Sequence, residues 1–247
     1  MIRRRLQLPL AGLCCLLLAA CAGTPAPVAM GGDAAVPAAR TTANPMAAYD
    51  PWSGFNRHMY RFNAWFDDTL LLPVVHGYRA VTPRPVRHSV GNFFGNLGEI
   101  NTFANAVLQL KPRSALTSFW RFAINTTVGI GGLFDPASAI GLLPVHEDFG
   151  QTLATYGVAT GPYLVLPFLG PSTLRDSFGL ASDQYLFYAL DPLSLQDHAY
   201  WKAVYLAMYG INKRNNISFR YYQTGSPFEY ELVRFLYLNM RAWQVSQ

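Results

Sequence analysis

Asp50-Pro51-Trp52-Ser53-Gly54-Phe55-Asn56-Arg57-His58-Met59-Tyr60-Arg61-Phe62-Asn63-Ala64-Trp65-Phe66 is the stretch on which the fold turns. Trp52, Phe55, Met59, Phe62 and Phe66 recur at helical spacing and so share one face. Asp50 suits an N-cap, and Pro51 suits the first helical position, where the N–H it lacks has no intrahelical partner anyway. An amphipathic helix is expected over about 51–66, with ordered structure beginning at Asp50.

Toward the N-terminus the composition changes at once. Residues 21–49 are rich in Ala, Pro, Gly and Thr with almost no large apolar residue, the composition of a flexible tether. Before it, Arg3, Arg4 and Arg5 make a positive start, Leu10 to Leu18 a short apolar run, and Leu18-Ala19-Ala20-Cys21 its close. A secretory signal ends in small residues. Small residues followed by cysteine are the arrangement of a bacterial lipoprotein signal, in which the thiol is acylated and the chain is cut before it. Residues 1–20 are therefore expected to be a lipoprotein signal peptide and Cys21 a lipid-attachment site, anchored at roughly 0.8 kcal/mol per buried CH₂. Ala22 is not Asp; by resemblance to enterobacterial lipoproteins, this favours the outer membrane. Cys14 and Cys15 leave with the signal, so the mature chain keeps no thiol for a disulfide, a metal or nucleophilic catalysis.

Toward the C-terminus, helical patterns dominate. After Thr82-Pro83-Arg84-Pro85 comes one with Val86, Val90, Phe93 and Leu97, then another from about Glu99 to Leu110, then a third from Pro112 with Leu116, Phe119, Trp120 and Ala123. Gly129 to Gly132 breaks that pattern. Residues 151–166 read differently: Thr155, Tyr156 and Val158, then Ala159-Thr160-Gly161-Pro162, then Tyr163 to Leu166, a candidate hairpin. Ser172 to about Leu190 reads as helix. Two further helices, around Trp201–Ile211 and after the capping box Ser226-Pro227-Phe228-Glu229, are apolar almost all round, as in helices buried on every side or facing lipid.

Composition narrows the function. Without Arg3, Arg4 and Arg5 the chain has 16 Lys and Arg against 14 Asp and Glu, a net charge of +2 with no basic run. Nucleic-acid binding thus has no electrostatic footprint. Charged residues make up only 13% of the chain, about half the share usual for a soluble domain. Yet after Cys21 no apolar run approaches the roughly 18 residues of a spanning helix. Low charge without a span points to a protein lying in a bilayer interface or covered by partners. His58, His76, His88, His146 and His198 are scattered, and His146-Glu147-Asp148 reads as a polar turn. No nucleophile elbow occurs, and Gly129-Ile130-Gly131-Gly132 lacks both the Walker lysine and the dinucleotide spacing. No metal, cofactor or catalytic residue is expected.

The chain resembles the MlaA (VacJ) family of outer-membrane lipoproteins of the phospholipid-asymmetry pathway. The match is carried by Asp50-Pro51-Trp52-Ser53-Gly54-Phe55-Asn56-Arg57, Tyr78-Arg79-Ala80-Val81-Thr82-Pro83, Asn92-Phe93-Phe94-Gly95-Asn96-Leu97-Gly98-Glu99 and Arg121-Phe122-Ala123-Ile124-Asn125-Thr126-Thr127. It continues in Glu147-Asp148-Phe149-Gly150-Gln151-Thr152-Leu153, Gly161-Pro162-Tyr163-Leu164-Val165-Leu166-Pro167 and Gly170-Pro171-Ser172-Thr173-Leu174-Arg175-Asp176. The resemblance implies a mainly α fold over 50–247, a ring-like bundle of amphipathic helices with a small β-hairpin, embedded in the membrane interface. It implies a channel taking misplaced phospholipid from the outer leaflet toward the periplasm, beside a trimeric outer-membrane porin and toward a soluble periplasmic lipid-binding protein. It also implies no covalent chemistry. An envelope lipid hydrolase and a purely structural lipoprotein are the alternatives. Such a path needs apolar surface for tails and a cation for phosphate. Phe55, Met59, Phe62 and Phe66 are expected to line it, Lys202 or Lys213 to meet the head group, and the loop between Gly157 and Gly161 to gate it.

Overall fold

The computed structural model describes residues 50–247. The expected signal peptide, the acylated Cys21 and the tether lie outside the described residues. The fold is mostly helical. Helix α1 (Ser53–Phe66) continues through one π-helical turn (Asp67–Leu71) into α2 (Leu72–Val81). Helices α3 (Arg84–Leu108) and α4 (Pro112–Thr127) follow, then the short α5 (Pro136–Ala139) and α6 (Phe149–Thr155). Strands β1 (Tyr163–Leu166) and β2 (Gly170–Thr173) form an antiparallel hairpin with Tyr163 opposite Thr173 and Leu166 opposite Gly170. Helices α7 (Leu174–Leu190), α8 (Ala199–Asn215) and α9 (Glu229–Val245) complete it. Among the described residues no helix is long and apolar enough to cross a membrane.

Several boundaries differ from expectation, each for a physical reason. Asp50 does not cap α1. Its carboxylate accepts from Asn56 Nδ2 (2.9 Å), Arg234 (2.9 Å) and the Tyr230 hydroxyl, which joins α1 to α9. The two helical patterns after Thr82 are one 25-residue helix, because Pro85 sits in its first turn, where proline removes no bond. At 1.5 Å per residue α3 is about 37 Å long. The hairpin lies one segment later than the sequence suggested. Thr155 ends α6, and Tyr163–Leu166 pairs forward with Gly170–Thr173. Glu229 opens α9 but does not close a capping box; its carboxylate accepts from Thr224 N–H (3.1 Å), Thr224 Oγ1 (2.6 Å) and the Tyr60 hydroxyl (2.7 Å).

Which face of each helix turns inward is the larger correction. On α1 the buried residues are Asn56, Tyr60, Asn63 and Ala64. The reason lies in the hairpin, whose β1 leaves backbone groups unpaired on the edge facing α1. Asn56 accepts from Val165 N–H (2.8 Å) and donates to Tyr163 C=O (3.0 Å). Two turns on, Asn63 accepts from Phe168 N–H (2.7 Å) and donates to Leu166 C=O (2.9 Å). Buried backbone groups must be paired, and two asparagines seven residues apart do this. The hydrophobic core beside them is built largely of tyrosines: Tyr60, Tyr163, Val165 and Tyr230.

Candidate functional site: a cavity of mixed lining inside an apolar shell

The described residues invert the usual partition. Forty large hydrophobic side chains are exposed, against fourteen buried hydrophobic residues. The exposed set includes all five tryptophans of the chain: Trp52, Trp65, Trp120, Trp201 and Trp243. Single exposed hydrophobics are ordinary on soluble proteins, but exposure on this scale marks a surface made for a partner or a lipid phase. Inside, twenty-two polar or charged residues are buried.

The polar interior surrounds a cavity of about 1000 Å³, at the upper end of the range for ligand pockets. Helices α3 and α4, the 144–148 segment, the hairpin and helices α7 to α9 all contribute to its wall. The charged groups of the wall are held in networks. Arg121 on α4 donates to Glu99 on α3 (2.6 Å), to Asp135 (3.2 Å), to Ser138 Oγ (2.9 Å) and to Leu142 C=O. Arg241 on α9 holds Asp148 (2.7 and 3.0 Å) and Asp176 on α7 (3.0 and 2.9 Å). Tyr237 also donates to Asp176 (3.0 Å). Burial would raise the Asp148 carboxyl, but the hydrogen bonds and charge of Arg241 outweigh it and hold it at about 2. Asp176 is lowered in the same way: burial opposes, Arg241 prevails. Asp183 goes the other way. Burial pushes it up, although it accepts from Asn105 Nδ2 (2.7 Å) and Phe149 N–H (3.0 Å), and it has no ion pair with an arginine or lysine like those of Asp148 and Asp176.

One cation of the wall has no carboxylate. Lys213, near the end of α8, borders the cavity and forms no ion pair, whereas Arg121 and Arg241 are each doubly paired. Lys213 is an exposed residue, and partial desolvation of its ammonium lowers it below the usual lysine value. An anion reaching this lysine gains an uncontested charge-assisted contact. Lys202 is elsewhere; its ammonium sits 4.6 Å from the centroid of the Tyr188 ring, outside the wall.

The aromatic stripe of α1 does not line the cavity, contrary to expectation. Phe55 is exposed, Met59 packs against the tyrosine core, and Phe62 and Phe66 meet Phe168 at the hairpin tip (5.2 and 4.7 Å between centroids). The asparagine face of α1 is bonded to the hairpin, so the stripe turns outward. Gly157 and Gly161 also lie off the wall. Both have positive φ, +83° and +70°. Gly157 is the C′ residue of α6 in a Schellman motif, with Gly157 N–H on Ala154 C=O and Val158 N–H on Leu153 C=O, both 2.9 Å. Backbone geometry explains these glycines without a hinge. Sequence reasoning missed Glu99, Arg121, Asp148, Asp176 and Arg241, which lie far apart in the chain. A signal did exist in the asparagines at 92, 96, 101, 105 and 125, poor helix formers placed inside helices.

A family model described as MlaA lipoprotein matches residues 48–244. An uncharacterized protein of Rickettsia bellii is 42% identical over 169 residues, 68% of this chain and 65% of that protein. The "Intermembrane phospholipid transport system lipoprotein MlaA" of Escherichia coli K12 is 38% identical over 160 residues, 63% of this chain and 64% of that protein. The chain thus spans about 65% of the length of the curated relatives it matches. A solved structure, described as "Structural basis for maintenance of bacterial outer membrane lipid asymmetry", superposes with a TM-score of 0.65 at 33% identity, over 80% of this chain and 99% of that one.

Proposed function

The chain belongs to the MlaA lipoprotein family, and from that membership we propose that it carries phospholipid out of the outer leaflet of the outer membrane. In this reading Cys21 bears the anchoring lipid, the apolar shell lies among acyl chains, and the cavity is the passage for the head group. Phe55, Phe62 and Phe66 belong to the shell and contact tails. A trimeric porin beside the protein and a soluble periplasmic lipid carrier beyond it are the proposed partners. The transfer is non-covalent, so phospholipid enters and leaves intact.

The observation that carries this reading is Lys213, without an ion pair, on the wall of an open cavity whose lining is part polar and part apolar, inside an apolar exterior. A phospholipid has the same two characters, an anionic head and apolar tails. Lys213 supplies the phosphate contact, and its long stem spans apolar surroundings while its charge stays in the cavity. The test uses photocrosslinkable phospholipid and the purified acylated protein. Intact lipid should crosslink, and Lys213→Glu should reduce capture about tenfold or more, the worth of one charge-assisted contact, with unchanged thermal stability. Hydrolysed lipid products would establish an enzyme. Absence of both products and capture would leave a structural lipoprotein.

A further inference from the structure

On the basis of the phospholipid passage proposed above, we infer that the seam between α3, α7 and α8 holds the lipid's acyl chains while its head group occupies the cavity. The seam is a second, smaller pocket of about 110 Å³, lined by Phe94, Leu97, Phe187, Tyr205 and Leu206. Gly98, Asn101, Gln184 and Tyr209 border both this pocket and the main cavity. The two spaces are therefore neighbours across a single row of residues, and that row is thin. Gly98 is exposed, and a Cβ built on it meets nothing within 4 Å. Packing does not require glycine there, although glycine inside a helix is unfavourable relative to alanine. Gln184 is exposed, and its side chain forms no hydrogen bond among the described residues. Asn101 is the fixed member of the row, donating to Asp183 C=O (3.2 Å).

The residues of α8 follow the order of a phospholipid. Lys213, Tyr209 and Tyr205 stand four residues apart, on one face and about 6 Å per step along the axis. Lys213 and Tyr209 border the cavity, and Tyr209 and Tyr205 border the seam. Leu206, 45% exposed, opens the seam to the apolar exterior. With its phosphate at Lys213, a lipid directs its glycerol toward Tyr209 and its chains into the seam. Tyrosine suits the junction, because its ring is apolar and its hydroxyl can donate to an ester carbonyl. Methylenes in the seam meet aromatic and aliphatic side chains. In the cavity they would meet the ion-paired groups of Asp148, Asp176 and Arg241, at a loss of apolar burial.

The way α8 is held agrees. Its C-terminal end is pinned by polar bonds: Arg214 to Asp67 (2.5 and 2.8 Å), and Arg79 to Asn215 (both 2.7 Å). Among the described residues, no side chain of 199–211 hydrogen-bonds to another helix. That part rests on ring contacts, Tyr205 with Phe187 (5.6 Å) and Phe94 (5.5 Å), Tyr209 with Phe94 (5.5 Å), and on Lys202 over Tyr188 (4.6 Å). Ring contacts can slide without stranding a buried polar group, so the seam widens more readily than an ion-paired joint.

The experiment uses phosphatidylethanolamine with a diazirine in the middle of one acyl chain, or with the photoreactive group on its head. Each is presented to the acylated full-length protein, and adducts are mapped by mass spectrometry. The tail probe should label Phe94, Leu97 or Phe187 within the seam, besides shell residues such as Trp120 and Trp243. Lys213→Glu should abolish the seam adducts and spare those of the shell, because only the seam depends on a head group in the cavity. Leu206→Gln, at an exposed position, and Gly98→Leu, which puts a side chain in the dividing row, should each lose the seam adducts with the melting temperature unchanged or higher. Head-group capture without seam adducts overturns the seam and leaves the passage standing. Seam adducts that persist in Lys213→Glu, or in both Leu206→Gln and Gly98→Leu, also overturn it, as contacts unconnected with a lipid in the cavity. No head-group capture defeats the passage and the seam with it.

Discussion

At the residue scale, asparagine does work usually given to backbone. Asn56 and Asn63 each bond one N–H and one C=O of the hairpin region, so α1 closes the open edge of β1 without itself being a strand. Removing one strands both backbone groups at once, at about 1–3 kcal/mol per buried group. Asn63→Ala should lower stability by that order in detergent-solubilised protein, measured by denaturant titration. Asn63→Asp should recover only the Phe168 N–H bond, because a carboxylate cannot donate to Leu166 C=O. A loss no larger than that of an exposed asparagine, such as Asn239, would mean the edge finds other partners.

At the element scale, α9 shows the inversion most plainly. Its buried residues are Glu229, Tyr230, Arg234 and Arg241, while Leu236, Met240 and Trp243 are exposed. The arginines connect α9 to the chain's first described residue, through Asp50, and to α6 and α7, through Asp148 and Asp176. Glycine permits that last junction: a Cβ on Gly150 would stand 2.6 Å from Asp176 Oδ1, and one on Gly179 would stand 2.4 Å from Gly150 N. Arg241→Met leaves Asp148 without its cation and Asp176 with Arg175 alone (3.2 Å), and breaking such a buried pair costs about 3–5 kcal/mol. The acid response follows by sign. Arg241 holds the Asp148 carboxyl at about 2, below its ordinary 3.8, so its contribution, about 2 kcal/mol, is present above the unfolded value and is lost as pH falls through about 2. Asp183, raised by burial, contributes in the opposite sense, favouring the fold below its unfolded value. Thermal melts from neutral pH down to about pH 3 should therefore show the deficit of Arg241→Met shrinking as the stranded carboxyls protonate. A deficit constant with pH would place the role of Arg241 in packing.

At the scale of the whole molecule, the apolar exterior predicts membrane association even without the proposed lipid anchor. The Cys21→Ala variant should escape acylation and still sediment with membranes or require detergent, because the exposed tryptophans and aliphatics remain. Brominated acyl chains should quench its tryptophan fluorescence. A detergent-free monomer that ignores vesicles would show that the exposed side chains meet something other than lipid. Ala22→Asp in the acylated protein should shift part of it toward the inner membrane if sorting follows the residue after the lipidated cysteine. Much of this was legible in the sequence alone: helices over most of 50–247 from the 3.6 period, low charge without a spanning segment, and a family signature dense enough to name. The sequence offered Lys202 and Lys213 together, and only the tertiary structure separates them, placing Lys213 and not Lys202 on the cavity wall. Only the tertiary structure decided which way each helix faces. Periodicity finds an apolar stripe but not its direction, and the usual rule that the stripe turns inward assumes water outside. Here the apolar stripe turns outward because the hairpin edge of β1 and the buried arginines demand polar partners within. The cavity was equally invisible beforehand, since its wall joins residues from Gly91 to Gln244 whose proximity exists only once the ion pairs of Arg121 and Arg241 have drawn their helices together.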